Sequence, residues 1–227
     1  MYHMQGSRLK YAGVSVFSRN LTKFAECAIL YRNRKGGSCM PEPIQSFDFS
    51  VLNWIQDNIR CDALDFIVPK ITALGNAGIL WIMLTLFCVA VKKWRKCGIT
   101  MAAALLTGLL VGNVCIKLLV ARDRPCWIAP PELMLIAIPK DYSFPSCHTL
   151  SGFAASVSML CYTKRAGIPL VTLAAMIALT RLYLYVHFPS DVLVGFVLGT
   201  GIAVAAVLLT RRYLWDALEK RFPELLA

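Results

Sequence analysis

Three short stretches of the chain place cations, two histidines and a carboxylate beside otherwise apolar segments. They are KLLVARDRP at 117–125, PSCHT at 145–149 and TRLYLYVHFPSD at 180–191. Cations at a membrane edge are costly unless an anion meets them, and a histidine with a carboxylate four residues on is a prepared nucleophile or base. The combination predicts phosphoryl-transfer chemistry at a membrane surface.

The third stretch supplies a histidine and a carboxylate at a turn between two apolar segments. His187 lies in the turn, Pro189 interrupts regular structure, and Asp191 opens the next segment. The carboxylate can accept the Nδ1–H of the imidazole, which leaves Nε2 free to attack phosphorus. We therefore predict that His187 is the nucleophile and that Asp191 orients it, and a helix-capping role for Asp191 is compatible with this job.

The second stretch begins another apolar segment. Its backbone N–H groups can therefore point at an anion, with the positive end of the helix dipole behind them. Ser146 can add a hydroxyl donor, and His148 lies just inside the predicted helix start. Because an imidazole titrates near neutrality, it can protonate a departing alkoxide oxygen. We predict that Ser146 and Cys147 contact phosphate and that His148 is the acid.

The first stretch carries two cations, Lys117 and Arg124, seven residues apart. They share a helix face if the helix runs that far, and Pro125 is then expected to end it. Arginine offers a planar fork of donors and lysine a point charge, so the pair can hold a dianionic phosphate. With Arg181 of the third stretch, they form the predicted phosphate site.

Other chemistries match these residues less well. A metal centre built from His148, His187 and Asp191 is conceivable, but the neighbouring cations would repel a divalent ion, so we expect no metal and no cofactor. A cysteine-based phosphatase would need an arginine six residues after Cys147, where Phe153 stands. The chain contains no GxxxxGK[ST] sequence, which excludes nucleotide binding by a P-loop.

The elements that must position these stretches are strongly apolar. Of the 227 residues 57% are hydrophobic, and the mean hydropathy is +0.59, which exceeds what a soluble domain of this size needs. A full membrane span needs about 20 apolar residues, and charges at the ends of shorter runs can extend them. Five runs lack charged residues: Ala77–Val91, Cys97–Ile116, Thr149–Thr163, Ala166–Thr180 and Val192–Thr210.

A sixth, weaker candidate span is Ala63–Leu74, which contains Asp65 and Lys70. The stretch before it, Phe47–Ile59, has apolar residues near helical spacing and is predicted to lie along the membrane interface. Buried helices of a soluble protein are the alternative, but five such runs in series favour the bilayer. We predict an all-α, multi-pass transmembrane helical bundle with about six spans.

The formal net charge of +11 is explained by membrane topology. No basic face interleaved with stacking aromatics occurs, so no nucleic-acid partner is expected. Basic residues instead cluster in connectors at 92–96, 164–165 and 211–221, which predicts that these face the cytoplasm. The three stretches then meet on the extracytoplasmic face of the cell membrane. Five cations there are predicted to bind anions instead of setting topology: Lys117, Arg122, Arg124, Lys140 and Arg181.

The cysteines and the N-terminal segment carry no predicted chemistry of their own. Nine cysteines are scattered without metal-ligand spacing, and Cys126 with Cys147 could form a disulfide or remain as two free thiols. Residues 1–40 contain seven basic residues and no long apolar run, and are predicted to be a disordered or mis-called extension. The membrane-embedded domain is predicted to cover residues 41–227.

Together the three stretches resemble the signature of the type 2 phosphatidic acid phosphatase superfamily: K-x6-RP, then PSGH, then SR-x5-H-x3-D. The order and the internal spacing match, and the run of spans fits the six-helix membrane branch of that family. Nine residues occupy signature positions: Lys117, Arg124, Pro125, Pro145, Ser146, His148, Arg181, His187 and Asp191.

The resemblance implies a function and a role for each residue. His187 would form a phosphohistidine, Asp191 would orient it and His148 would protonate the leaving group, without a metal. The cations and Ser146 would bind phosphate. Two residues depart from the signature, since Thr180 replaces its serine and Cys147 the glycine of PSGH. If position 147 requires a positive φ, the side chain there would cost about 1 kcal/mol or more.

The resulting prediction is an integral membrane phosphatase acting on a lipid phosphate or diphosphate. Similarity to small bacterial members of the family makes undecaprenyl or another polyprenyl diphosphate the first choice, with phosphatidylglycerol phosphate or phosphatidate next. The partners are then a lipid phosphate substrate and the bilayer. Two alternatives stay open: a non-catalytic lipid-phosphate binder or transporter inactivated by Cys147, and a vanadate-dependent haloperoxidase, although those enzymes are soluble.

Overall fold

The computed structural model describes residues 40–131 and 133–215, and these form helices joined by short connections, without a β-strand among them. The predicted extension lies outside the described residues apart from Met40. Four helical segments are long and apolar enough to cross a bilayer: Asp62–Ala90, Lys92–Ile128, Lys164–Tyr183 and Pro189–Leu214. The predicted all-α membrane bundle is therefore confirmed.

The first long segment shows why the predicted number of spans is approximate. It contains helix α2 (Asp62–Ala73) and helix α3 (Ile79–Ala90), which are joined by a 3-10 turn at Asn76–Gly78. Ala77 and Gly78 have φ values of 50° and 67°, so the backbone breaks without a long connector. The weak candidate Ala63–Leu74 is thus the first half of one 29-residue segment.

The second long segment ends differently from what the sequence predicts. Helix α4 (Arg95–Gly108) continues through a π-helical stretch (Leu109–Ile116) into the short helix α5 (Lys117–Val120). The chain then turns at Ala121, where φ is 44°, and Pro125 begins the short helix α6 (Pro125–Ile128) at its first position. The expectation that one helix carries Lys117 and Arg124 and ends at Pro125 is therefore wrong.

After the loop that precedes Cys147, the described residues form three long helices, α7 (Cys147–Tyr162), α8 (Lys164–Tyr183) and α9 (Pro189–Leu209). Helix α7 packs against both others and against α4. Gly195 and Gly199 allow α9 to approach closely, because a Cβ at Gly199 would lie 2.5 Å from the carbonyl oxygen of Leu150. The apolar core around α7 contains Trp81, Met101, Phe153, Met159 and Ile177.

The remaining helix, α1 (Glu42–Asn58), covers one end of this bundle. Its inner face carries Leu52, which packs with Leu182, Tyr185 and Phe188 where α8 turns into α9. Its outer face exposes Phe47 and Trp54. The amphipathic helix predicted at Phe47–Ile59 is present, and its apolar outer side suits contact with a membrane interface.

The basic residues of the connectors that the structure describes, at 92–96, 164–165 and 211–212, gather at the other end of the bundle. Helix α7 ends at Tyr162, whose hydroxyl hydrogen-bonds with Thr100 at 2.9 Å, and Thr100 in turn contacts the Thr210 hydroxyl at 3.1 Å. Arg211 donates to the carbonyl of Cys161. The ends of α7 and α9 and the beginning of α4 therefore meet here, opposite the end that α1 covers.

Candidate active site

The three polar stretches of the sequence meet around one cavity of about 830 Å³. The cavity opens between the ends of the helices and extends between α3 and α4, where apolar side chains such as Ile82, Leu86, Leu105 and Leu109 line it. Its polar end collects six of the eight predicted site residues: Lys117, Arg124, Cys147, His148, Arg181 and His187.

His187 lies in the turn between α8 and α9 and is almost fully buried. Its Nε2 is 3.1 Å from Nη1 of Arg124. A guanidinium only donates hydrogen bonds, so Nε2 must carry the lone pair and the ring proton belongs to Nδ1. Nδ1 lies 3.5 Å from the Asp191 carboxylate and 3.5 Å from the hydroxyl of Ser143. The ring thus presents an unprotonated nitrogen to the cavity end that contains Lys117, Arg124 and Arg181.

The surroundings of His187 favour its neutral form. Burial away from water lowers the pKa of the imidazole well below its ordinary range, and the charges of Arg124, Arg181 and Lys117 lower it further. Neutral imidazole is the form that can attack an electrophile. The site therefore keeps His187 in its nucleophilic state at neutral pH.

Asp191 caps the helix that follows the turn and lies beside His187. It is the third residue of α9, and it accepts the backbone N–H of Phe188 at 2.9 Å, which caps the helix. The same carboxylate accepts the Ser143 hydroxyl and a 2.7 Å hydrogen bond from Arg122. The carboxylate is therefore fixed from several sides, although its contact with His187 is longer than a normal hydrogen bond.

Arg122 does not join the anion site that the sequence predicts for it. Among the described residues it is absent from the cavity wall, and its side chain is completely buried. It pairs with Asp48 of α1 at 2.6 Å and with Asp191 at 2.7 Å, donates to Ser190 at 2.7 Å and stacks on the ring of Phe188. Two internal carboxylates satisfy this charge, so it supports the helix ends instead of binding substrate.

Lys117 and Arg124 meet at the cavity through a carboxylate that the sequence did not single out. Nζ of Lys117 is 2.5 Å from one oxygen of Asp141, and Nη2 of Arg124 is 2.8 Å from the other. Burial alone would raise the pKa of Asp141, but the hydrogen bond from Lys117 and the two positive charges outweigh it and hold the pKa at about 2. Asp141 is therefore an anion at any working pH.

Arg181 and His148 complete the polar end of the cavity. Arg181 donates to the Thr72 hydroxyl at 2.7 Å, and its buried Nε has no hydrogen-bond partner within the described ranges. Nε2 of His148 lies 3.2 Å from the amide oxygen of Asn76, which places a proton on that nitrogen. A Cβ at Gly75 would lie 2.7 Å from the His148 ring, so the broken turn between α2 and α3 is shaped around this histidine.

At the start of α7, Ser146 is buried away from the cavity, whereas Cys147 lines it. Ser146 precedes the helix and is fully buried, where its hydroxyl accepts a hydrogen bond from Thr149. Cys147 lines the cavity, and its S–H donates to the amide oxygen of Asn113. Cys147 is not among the positive-φ residues of the described chain, so the strain considered for a side chain there does not arise. Cys126 and Cys147 are both free thiols.

Ser143, Asn76 and Asn113 are further polar contacts that sequence reasoning missed. Each touches a predicted site residue, but Asn76 and Asn113 come from other helical segments. Ser143 and Asp141 lie in the loop before α7, close to the PSCHT stretch, which was the one available signal for them. Among the described residues, no group of three or more His, Cys, Asp and Glu side chains is arranged to hold a metal ion.

Comparisons with known proteins identify the family of the chain. The family model described as the PAP2 superfamily matches residues 93–215. The chain is 33% identical over 129 residues to an undecaprenyl-diphosphatase of Sulfolobus acidocaldarius, a match that covers 56% of this chain and 62% of that protein. It is 36% identical over 127 residues to a decaprenylphosphoryl-5-phosphoribose phosphatase of Mycobacterium tuberculosis, covering 55% of this chain and 68% of that protein.

Solved structures show the same fold at lower sequence identity. A phosphatidylglycerolphosphate phosphatase of the PAP2 type from Bacillus subtilis superposes with a TM-score of 0.64 at 22% identity, covering 86% of this chain and 96% of that one. LpxE of Aquifex aeolicus gives a TM-score of 0.62 at 23% identity, covering 71% of this chain and 95% of that one. The resemblance found from the three stretches is confirmed at the level of family and fold.

Proposed function

The chain belongs to the PAP2 superfamily, and from that premise we propose that it hydrolyses a lipid phosphate or diphosphate through a phosphohistidine formed on His187. One observation carries the proposal. The unprotonated Nε2 of His187 lies at the same cavity end as Lys117, Arg124 and Arg181. A nucleophile beside three cations is suited to an anionic electrophile such as phosphate.

In the first step the substrate phosphate replaces the present partners of the cations. Nη1 of Arg124 then donates to a phosphate oxygen instead of to Nε2, which frees the nitrogen lone pair. An Nε2–P bond forms and the bond from phosphorus to the leaving oxygen breaks. His148, which is doubly protonated once the phosphate dianion lies beside it, gives its Nε2 proton to that oxygen and becomes neutral. Lys117, Arg124 and Arg181 stabilise the charge that builds on the phosphoryl oxygens.

In the second step water hydrolyses the phosphohistidine. The neutral His148 accepts a proton from the attacking water at Nε2, which is the reverse of its first role. The P–Nε2 bond breaks and inorganic phosphate leaves. Asp191 keeps the ring of His187 in its orientation throughout, and its helix cap and its Arg122 pair prevent it from turning away.

The lipid tail would lie in the apolar part of the cavity between α3 and α4. Relatives named as undecaprenyl-diphosphatases support a polyprenyl diphosphate as the first choice of substrate, and the partial length of those matches keeps it a proposal. Phosphatidylglycerol phosphate and phosphatidate are the next candidates. The aliphatic lining suits any of these tails, since it offers few polar groups to distinguish them.

We place the active site on the extracytoplasmic face of the cell membrane. The basic connectors lie at the opposite end of the bundle from His187, and such connectors prefer the cytoplasm. We also propose that the phosphatase domain covers residues 41–227, although the family model reaches only from 93 to 215.

A lipid-phosphate binder without turnover is the second candidate, because the Cys147 side chain enters the cavity.

The test is phosphate release by purified protein in detergent, in the presence of EDTA, from polyprenyl diphosphate, phosphatidylglycerol phosphate and phosphatidate. We expect release by the wild type and none by His187→Ala, which should still bind the lipid. The ranking of the three lipids then identifies the substrate class. Binding without release by the wild type would reject the enzyme in favour of the binder, and Cys147→Gly would show whether the thiol is responsible.

A further inference from the structure

Asp141 occupies the position where the proposed function needs a phosphate. Its two carboxylate oxygens contact Lys117 at 2.5 Å and Arg124 at 2.8 Å, one oxygen to each cation. A phosphate would present two oxygens to the same donors. The carboxylate is therefore an internal substitute for the substrate anion.

The charge of the cavity explains why such a substitute is needed. Lys117, Arg124 and Arg181 are almost completely buried and face one space. Among the described residues that line this space, Asp141 alone is acidic. Buried cations without a counter-ion are strongly destabilising, so an empty site requires an anion of its own.

The attachment of Asp141 allows its carboxylate to leave without moving the loop. The side chain is 56% exposed, whereas Lys117 and Arg124 are almost inaccessible. The main chain is held separately, since Nε of Arg124 donates to the Asp141 carbonyl at 2.7 Å and the Ser143 N–H donates to the Arg122 carbonyl at 2.8 Å. Rotation about the side-chain bonds can therefore move the carboxylate into solvent while the backbone stays in place.

We propose that Asp141 is a replaceable counter-ion, which holds Lys117 and Arg124 in the empty site, is displaced by the substrate phosphate and returns when inorganic phosphate leaves. This inference rests on the proposed function, because it takes these cations as the phosphate site. It gives Asp141 a positioning and product-release role without contact to the reacting atoms. Its direct consequence is that the wild type binds free phosphate more weakly than the cations alone would allow.

The decisive variant is Asp141→Asn, which keeps the shape of the side chain and removes its charge. Binding of inorganic phosphate and of orthovanadate to the full chain in detergent is measured by titration calorimetry. We expect both anions to bind about tenfold more tightly to D141N, because they no longer compete with a carboxylate. Asp123→Asn is the matched control, since Asp123 is not among the described lining residues, and it should leave both affinities unchanged.

A purely structural role of Asp141 predicts the opposite change in phosphate affinity. If the carboxylate only ordered the cations, D141N would bind phosphate more weakly than the wild type, and this result would overturn the inference. Equal affinities in D141N and the wild type, or no phosphate binding by either, would also overturn it. Asp141→Glu, which retains the charge, should stay close to the wild type, and a tightening as large as that of D141N would contradict the role of charge.

These binding measurements do not depend on turnover. Tighter phosphate binding by D141N in a protein that releases no phosphate from any lipid would reject the proposed enzyme and retain the replaceable counter-ion. Phosphate release from a lipid, together with unchanged or weaker phosphate binding in D141N, would retain the proposed enzyme and reject the replaceable counter-ion. In an active enzyme we further expect inorganic phosphate to be a stronger competitive product inhibitor of D141N than of the wild type.

Discussion

Two arginines that are two residues apart, Arg122 and Arg124, belong to clusters with the same chemistry and different accessibility. Both are buried and both pair with aspartates. The partners of Arg122 are Asp48 and Asp191, which are 1% and 0% exposed, whereas the partner of Arg124 is the half-exposed Asp141. A counter-ion that water cannot reach is permanent, and one at the cavity mouth can be exchanged for a ligand. The first cluster therefore supports the ends of the helices, and the second is the phosphate site that we propose.

The largest effect is expected when Arg122 is removed from its two buried carboxylates. Arg122→Ala would leave Asp48 and Asp191 buried without their cation, which we expect to destabilise the protein by about 3–5 kcal/mol. Thermal unfolding in detergent would measure this, with activity falling as Asp191 loses its support. Stability within error of the wild type would show that the two clusters do not differ as described.

The matched variant in the second cluster, Arg124→Ala, should lower activity much more than stability. Arg124→Ala removes a cation whose carboxylate partner can turn to solvent, so stability should change less than in R122A. We expect kcat/KM to fall about 10²–10³-fold, because a donor to the transition state is lost. Steady-state kinetics and unfolding of both variants give the comparison. A larger stability loss in R124A than in R122A would reverse the assignment.

The pH dependence of kcat/KM should reveal the excess positive charge that surrounds His187 in the second cluster. Burial, and then the charges of Arg124, Arg181 and Lys117, lower the pKa of His187, so the ring stays neutral above that lowered value. The acid limb of kcat/KM should therefore lie below the ordinary histidine pKa of about 6.5. Lys117→Met removes one cation and should move this limb to higher pH. A wild-type limb at or above the ordinary value would contradict the assignment.

The smallest effect concerns the hydroxyl that links the two clusters. Ser143 donates to Asp191 and lies 3.5 Å from Nδ1 of His187. Ser143→Ala should lower kcat by about three- to tenfold, the value of one hydrogen bond of about 1 kcal/mol. The control is Ser158→Ala, since the Ser158 hydroxyl only donates to Ala154 within α7. Equal rates in both variants would remove Ser143 from the orienting network.

The difference between the clusters also marks what the sequence can reveal. The six cavity residues that belong to the motifs were predictable because each motif sits at a helix end, where a span stops and a polar group can face a ligand. Asp141, Asn76 and Asn113 lie outside the motifs and were missed. The Arg122 cluster was not predictable either, because Asp48 lies 74 residues away on a helix whose docking no local pattern specifies. Arg122 was assigned to anion binding because it is a cation on the predicted extracytoplasmic face, and only its packing corrects this.

Backbone breaks limited the prediction of the helices in the same way. The turn at Asn76–Gly78 joins the weak candidate Ala63–Leu74 to the candidate run Ala77–Val91 and provides Asn76 as a partner of His148, and the sequence did not predict that the two form one segment. Ala121 ends α5 before Arg124 with a left-handed conformation that alanine seldom adopts, so propensity could not have predicted it. Both breaks bring side chains to the cavity, and both depend on tertiary packing.

The most direct test of the account is to trap the phosphoenzyme. Wild-type protein and His187→Ala are mixed with lipid substrate labelled in its terminal phosphate, quenched in alkali and digested for mass spectrometry. The account predicts an alkali-stable, acid-labile phosphoryl group on the peptide that contains His187, and none in the variant. Phosphate release by His187→Ala at the wild-type rate, or label on another residue, would contradict it.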